Sequence, residues 1–244
     1  TSAIGFVVGF ALFGSVTFIP LYLQIVKGHT ATESGLLMTP MMLGVLATST
    51  ASGFLISRYG RYRVFPIVGT AIATVGLYLL STLEVATATE VAAGYMLLLG
   101  LGLGLVMQVL VLAAQNAVDY RLLGVATSGS TLFRQVGGSI GVSVFGAIFT
   151  NELGRELARR LPAGAHAPAH ASPAAIQHLP PLLHAVYVTS VAVALHPVFL
   201  TASAVMVGAF GLSWLLRDVL LRETAGSDAP APVATAKQPA RATA

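Results

Sequence analysis

Arg134 is the only charged residue deep inside any of the chain's long apolar runs. Counted from about residue 123 at 1.5 Å per helical residue, it lies roughly 16 Å in. A guanidinium at such depth in a bilayer costs at least about 2.5–3.5 kcal/mol, so it needs a polar partner or a wet cavity. Two readings stay open: a member of a cavity or gate, and a structural arginine that snorkels to headgroups or bonds helix carbonyls. Thr127, Thr131, Arg134, Gly138 and Gly141 follow one another at steps of four, three, four and three, which sets them on one helix face, with Gln135 adjacent. On the preceding run Gln108 and Gln115 are seven apart on one face, near Asn116.

These types do not make a catalytic constellation. The spans contain no acid pair and no Ser/His arrangement, so no enzyme is expected. All nine acids, from Glu33 to Asp228, fall at or beyond the ends of the apolar runs, with Asp119 at an edge. There is no cysteine, which excludes disulfides and thiolate metal sites. His166 and His170 are four apart, with His178 and His184 following, but the surrounding Ala/Pro-rich stretch lacks the rigidity a metal centre needs, so none is expected. The net charge of +4 does not point to nucleic acid, because the positives sit at helix ends and in tails rather than on one basic face.

The elements that carry these side chains are membrane helices. The chain is 55% hydrophobic and 9% charged, against roughly a quarter charged for soluble domains. At about 20 residues per crossing, six spans are expected over residues 4–26, 36–57, 64–83, 92–117, 123–149 and 194–216. Strands of an outer-membrane barrel would alternate polar and apolar residues, and these runs do not. Arg58, Arg61 and Arg63 mark a short cytoplasmic loop; Arg121, Arg217, Arg222, Lys237 and Arg241 then lie on the same side, against Lys27, Arg155, Arg159 and Arg160 outside. The expected layout is a transmembrane domain over 1–222 with an outer loop at about 150–193, and a disordered cytoplasmic tail over 223–244. Both termini are cytoplasmic in this reading, in a cell (inner or plasma) membrane. Apolar sequence begins at Ala3 with no basic leader before it, so the chain is expected to be a segment of a longer protein.

Local signals refine the picture. Pro20 should kink the outer third of the first helix. Thr32 or Ser34 should cap the second, with Glu33 complementing its dipole. Gly94, Gly100, Gly102 and Gly104 read as close helix packing, since no βαβ context supports a phosphate loop. Residues 151–161, with Glu152 and Glu156 set against Arg155, Arg159 and Arg160, read as a helical extension laced by ion pairs. Residues 182–195 are too short for a seventh span, and His196-Pro197 interrupts them, so they lie at the interface or begin the last helix. Trp214 and Arg217 form an inner-interface anchor.

Gly53-x-Leu55-x-Ser57-Arg58-x-Gly60-Arg61-x-Arg63 resembles the signature loop of the major facilitator superfamily, with Ser57 where that pattern has an acid. In this reading Gly53 admits a close neighbouring helix, Gly60 permits the turn, and the arginines bind helix C-termini or acids. The absence of the acid predicts a weaker latch. The stretches Pro20–Gln24, Gly124–Gly129, Phe133–Gly141 and Trp214–Arg222 resemble the carboxy-terminal half of the superfamily's fourteen-helix drug:proton antiporter branch.

The resemblance implies an all-α integral membrane fold, six helices in two inverted three-helix repeats. It also implies a cavity lined by the first, second, fourth and fifth helices, which nominates Tyr22, Gln24, Gln108, Gln115, Asn116, Arg134 and Gln135. The implied partners are the lipid bilayer, an amphipathic small-molecule substrate and the missing amino-terminal half. The energy source is a proton gradient, with no cofactor, and the coupling carboxylates belong to that absent half. The alternative reading is a non-transporting membrane sensor or scaffold of the same fold.

Overall fold

The computed structural model describes residues 2–60, 62–161, 176 and 179–215. Six helices in it are long and apolar enough to cross a membrane: α1 (Ser2–Val26), α2 (Ala31–Tyr59), α3 (Val64–Ser81), α4 (Thr89–Asn116), α5 (Leu123–Arg160) and α6 (Pro181–Trp214). Among the described residues there is no strand. In lipid each backbone donor and acceptor must be satisfied within the segment, and helices do this locally.

Since successive helices run in opposite directions, the chain has two ends. The arginine end holds the α2–α3 turn, the α4–α5 connection and Trp214. The opposite end, here the hairpin end, holds the α1–α2 turn, the α3–α4 loop, and the far parts of α5 and α6.

The pairing of helices is set by the repeat. α1 packs along α5 and α2 along α4; α3 lies against α4 and α6; α6 also touches α1 and α5. Exchanging α1, α2 and α3 for α4, α5 and α6 maps the α1/α5 pair onto α4/α2 and the α3/α4 pair onto α6/α1. These pairs are related as two three-helix units would be, although α5 also touches α6 where α2 and α3 make no comparable contact.

Glycines make both principal crossings possible. A β-carbon on Gly137 or Gly141 of α5 would collide with the Phe6 or Phe10 carbonyl of α1, and one on Gly100 or Gly104 of α4 with main chain of α2 at Met41 or Val45. Gly102, one face round, meets Gly69 and Ala73 of α3. Small residues let these backbones approach, and the close van der Waals packing that results is what holds helices together where the solvent is itself apolar. Gly94 meets nothing within 4 Å and takes no part.

Several helix ends differ from the sequence expectation. α2 starts at Ala31, capped by the Thr30 side chain, which accepts from the Glu33 N–H while the Glu33 carboxylate accepts from the Thr30 N–H. This reciprocal pair displaces the expected caps, Thr32 and Ser34; Ser34 is buried instead. The α-helix of α2 breaks at Met38, just ahead of Pro40, which then enters the first turn of the next segment. In α1 the helix breaks at Thr17 ahead of Pro20 and finishes as a π-helical turn, Tyr22–Val26.

The largest difference lies in α5 and α6. α5 continues to Arg160 and α6 begins at Pro181, so the connector is shorter than the expected loop over 150–193. Charge ends the apolar run near residue 150, but the helical period does not stop there. Glu156 is buried and takes hydrogen bonds from Arg159 at 3.0 Å and Arg160 at 2.9 Å. Leu153 and Leu157 share a core with Tyr187 and Val188 of α6. His196-Pro197 does not interrupt α6, contrary to the sequence expectation. Pro197 removes one hydrogen bond but the helix passes through it. His166, His170 and His178, the anchor residue Arg217 and the tail from 223 lie outside the described residues.

Candidate functional site

Two of the six helices are poorly covered: 22% of the apolar window of α2 and of α5 is buried, against 44–56% for the others. Two stripes stand out on the open side of α5. Leu132, Val136, Ile140 and Val144 repeat every fourth residue and form an apolar face. Ser128, Thr131, Gln135 and Ser139 form a second stripe about 100° round, and they line an open trough that continues past Phe13 and Val142. Ser128 spends its hydroxyl on the Gly124 carbonyl of its own helix, so the Gln135 amide is the group of this stripe most costly to leave against acyl chains.

A second groove lies between α2 and α4. Gly53, Ile56 and Ser57 form one wall, Gln108, Leu112 and Gln115 the other. Gln115 joins the two grooves, donating from Nε2 to the Thr127 hydroxyl at 2.9 Å across the α4/α5 contact. The Thr127 hydroxyl in turn donates to the Leu123 carbonyl at 2.8 Å, so the chain of hydrogen bonds is anchored in the first turn of α5. Asn116 is half-buried at the end of α4.

Arg134 is half-buried where α1, α4 and α5 meet. Its main chain lies against Gly9 of α1, and Nη1 reaches the Met107 sulfur of α4 at 3.9 Å. A thioether is a weak acceptor, and the buried Nε has no hydrogen-bond partner among the described residues. No carboxylate there forms an ion pair with it.

Of the seven residues nominated from sequence, Gln108, Gln115, Arg134 and Gln135 are brought to the two grooves or their seam, and Asn116 ends the same helix as Gln115. Tyr22 and Gln24 are not. Tyr22 is 2% exposed, packed among Leu80, Met96 and Phe199 towards the hairpin end, and its hydroxyl donates to the Glu84 carbonyl at 2.9 Å. Gln24 is half-buried in the same π-helical turn. Sequence reasoning missed the serines of the α5 stripe, Ser128 and Ser139. Their spacing to Thr131 and Gln135, at steps of three and four, is the signal that points to them.

The signature loop divides likewise. Gly60 ends α2 in the left-handed region at φ 68°, its N–H donating to Ile56 O, which is the turn expected of it. Arg63 donates from Nη2 to the Trp214 carbonyl at 2.6 Å, so one arginine does bind a helix C-terminus, that of α6. Ser57 is exposed and spends its hydroxyl on Phe54 O, and Arg58 is exposed. Gly53 does not admit a neighbouring helix as expected: nothing in the described chain comes within 4 Å of a β-carbon built there. Arg61 lies outside the described residues.

A family model described as Major Facilitator Superfamily matches residues 1–142. An MFS-type transporter of Mycobacterium tuberculosis is 46% identical over 221 residues, 90% of this chain and 32% of that protein. The multidrug transporter protein MdtP of Bacillus subtilis is 40% identical over 151 residues, covering 62% of this chain and 28% of the relative. The tetracycline resistance determinant of Streptomyces rimosus is 39% identical over 155 residues, 63% of this chain and 45% of its own length. The chain thus spans less than half the length of each of these relatives.

Proposed function

The chain belongs to the major facilitator superfamily, and from that premise we propose that it supplies the carboxy-terminal half of a secondary transporter that exports amphipathic small molecules in exchange for protons. The observation that carries the reading is the polar stripe Ser128–Thr131–Gln135–Ser139 on a membrane-spanning face left open by the other five helices. In this reading α2 and α5 turn their open sides to the remaining half of the protein, and the trough between the halves is the substrate path. Neutral amides and hydroxyls beside apolar walls give adaptable contacts, which suits loose specificity. The names of two relatives, a multidrug transporter and a tetracycline resistance determinant, support export of drug-like molecules. They do not distinguish the fourteen-helix antiporter branch from others, and assignment to it is part of the proposal.

Proton coupling requires a titratable group along the path. The described acids all sit at helix ends or in loops: Glu33 and Glu90 in first turns, Glu84 and Asp119 between helices, Glu152 and Glu156 in the extension of α5. The coupling carboxylates therefore belong to the rest of the transporter. The arginine end is cytoplasmic, in accord with the short-loop positive charge.

The test is transport by the complete protein in proteoliposomes loaded with a fluorescent cationic dye. An imposed pH gradient should drive dye movement, and Gln135→Leu should slow it. Dye movement that ignores the gradient would remove proton exchange; no movement of any tested dye would favour the sensor or scaffold reading.

A further inference from the structure

A separate cavity opens at the hairpin end, away from the trough. Its volume is 420 Å³, and it lies between the α3–α4 loop and the middle of α6. Leu83, Ala192 and Val193 give it apolar walls; Glu84, Thr189 and His196 supply the polar groups. Its size is that of a drug-sized pocket.

The loop that presents Glu84 is built rather than loose. Tyr22 of α1 donates its hydroxyl to the Glu84 carbonyl at 2.9 Å, and the Glu84 N–H donates to the Thr87 hydroxyl at 2.9 Å. Lys27 donates to the carbonyls of Val85, at 2.8 Å, and Thr87. The ammonium is thus occupied by main-chain oxygens, and its charge lies over the Tyr22 ring at 5.9 Å. The Glu84 carboxylate forms no ion pair with any described residue. Across the cavity, Pro197 has no N–H to give the Val193 carbonyl, which loses its usual helical donor.

The site offers one carboxylate outside any ion pair among the described residues and is walled by apolar side chains. We propose that this cavity binds an amphipathic organic monocation, the charged group at Glu84 and the apolar body against Leu83, Ala192 and Val193, as a site separate from the trough. An anion placed against these apolar walls would meet the Glu84 carboxylate at close range. A metal ion would find too few ligands, since no cluster of three or more His, Cys, Asp or Glu side chains exists among the described residues.

The experiment is tetraphenylphosphonium binding to the complete protein in phosphatidylcholine nanodiscs, corrected with empty discs. Glu84→Gln should weaken binding about five-fold, as expected for one solvent-accessible charge pair. Val193→Trp, which puts an indole into the cavity, should remove one class of tetraphenylphosphonium binding and leave any binding in the trough in place. Glu90→Gln removes an acid at the same end that does not line the cavity, and should leave affinity unchanged. Thermal unfolding of each variant establishes that it is folded, and transport through the trough is followed separately by pH-driven dye movement. Wild-type affinity in both Glu84→Gln and Val193→Trp overturns the proposal. Equal weakening by Glu84→Gln and Glu90→Gln also overturns it, since that is general surface charge and not a site.

Discussion

The α1/α5 and α2/α4 crossings solve the same problem with the same residues and then differ in what they hold. Each has two glycines four apart on one helix, Gly137 with Gly141 and Gly100 with Gly104, pressed on the main chain of its partner. Around α2/α4 the rest of the contact is quiet: Gly44 faces Leu97 and Leu101, and the Ser49 hydroxyl donates to the Gly104 carbonyl at 3.2 Å. Around α1/α5 the rings of Phe10 and Phe145 meet edge-on at 5.2 Å, and Arg134 passes Gly9 to end at a methionine sulfur. The glycine spacing fixes how near two backbones come. What stands beside it decides whether the crossing is only structural.

If the two crossings are equivalent in structure, bulk at either should be about equally damaging. Gly141→Leu and Gly100→Leu each push a side chain into partner backbone, and overpacking of this kind costs about 1–3 kcal/mol or more. Both variants should lose most of their folded, monodisperse protein in fluorescence-detected gel filtration. Gly94→Leu, where a β-carbon meets nothing, is the matched control. Tolerance at Gly141 with collapse at Gly100 would break the equivalence.

The difference between the crossings should appear at Arg134. A half-buried guanidinium whose Nη1 reaches only a thioether is costly, and an apolar residue of similar length removes that cost. Arg134→Met should therefore raise the thermal midpoint of the complete transporter while lowering pH-driven dye movement at least about ten-fold. A structural arginine gives the opposite result, a lower midpoint with transport kept in proportion to folded protein. Ser49→Ala, in the quiet crossing, should change transport little.

How much of this is legible in the sequence follows from which forces are local. Six apolar runs divided by charge give six helices, because exclusion of water from the bilayer forces helices on such runs. Gly60 is readable for the same reason, since a turn is answered by neighbouring residues; for Arg63 only the kind of contact is legible, because its acceptor, the Trp214 carbonyl, lies on the last helix. The extension of α5 to Arg160 reads as helix but falls within the expected loop, because hydropathy ends where lipid ends and α-helix does not. Pro197 misleads for a related reason. One lost hydrogen bond does not end a helix whose other bonds remain and whose Val191, Ala194, Leu195 and Val198 are buried around it. At the site, the nominated glutamines of α4 and α5 fall along the two grooves, whereas Tyr22, nominated because the resemblance sets the first helix at the cavity, is buried towards the hairpin end. Its burial depends on α3, α4 and α6 together, which no local pattern contains.

The smallest expected effects lie at the polar links near the arginine end, where each crossing is tied to its neighbours. Arg63→Gln removes the bond to the Trp214 carbonyl, a contact made with a charged donor but partly exposed, so about 1 kcal/mol is at stake. Gln115→Leu and Thr127→Val break the α4/α5 link, and the double variant should be no worse than the more damaging single one, since they remove the same hydrogen bond. Thermal unfolding of the three variants measures this coupling directly. A coupling near zero would mean that Gln115 and Thr127 act apart. The seam between the two grooves would then be held by backbone packing alone, as the α2/α4 crossing largely is. If the coupling is present and dye movement also falls in Gln115→Leu, the link belongs to the path as well as to the fold, and the α4/α5 seam joins Arg134 in marking where the two crossings part company.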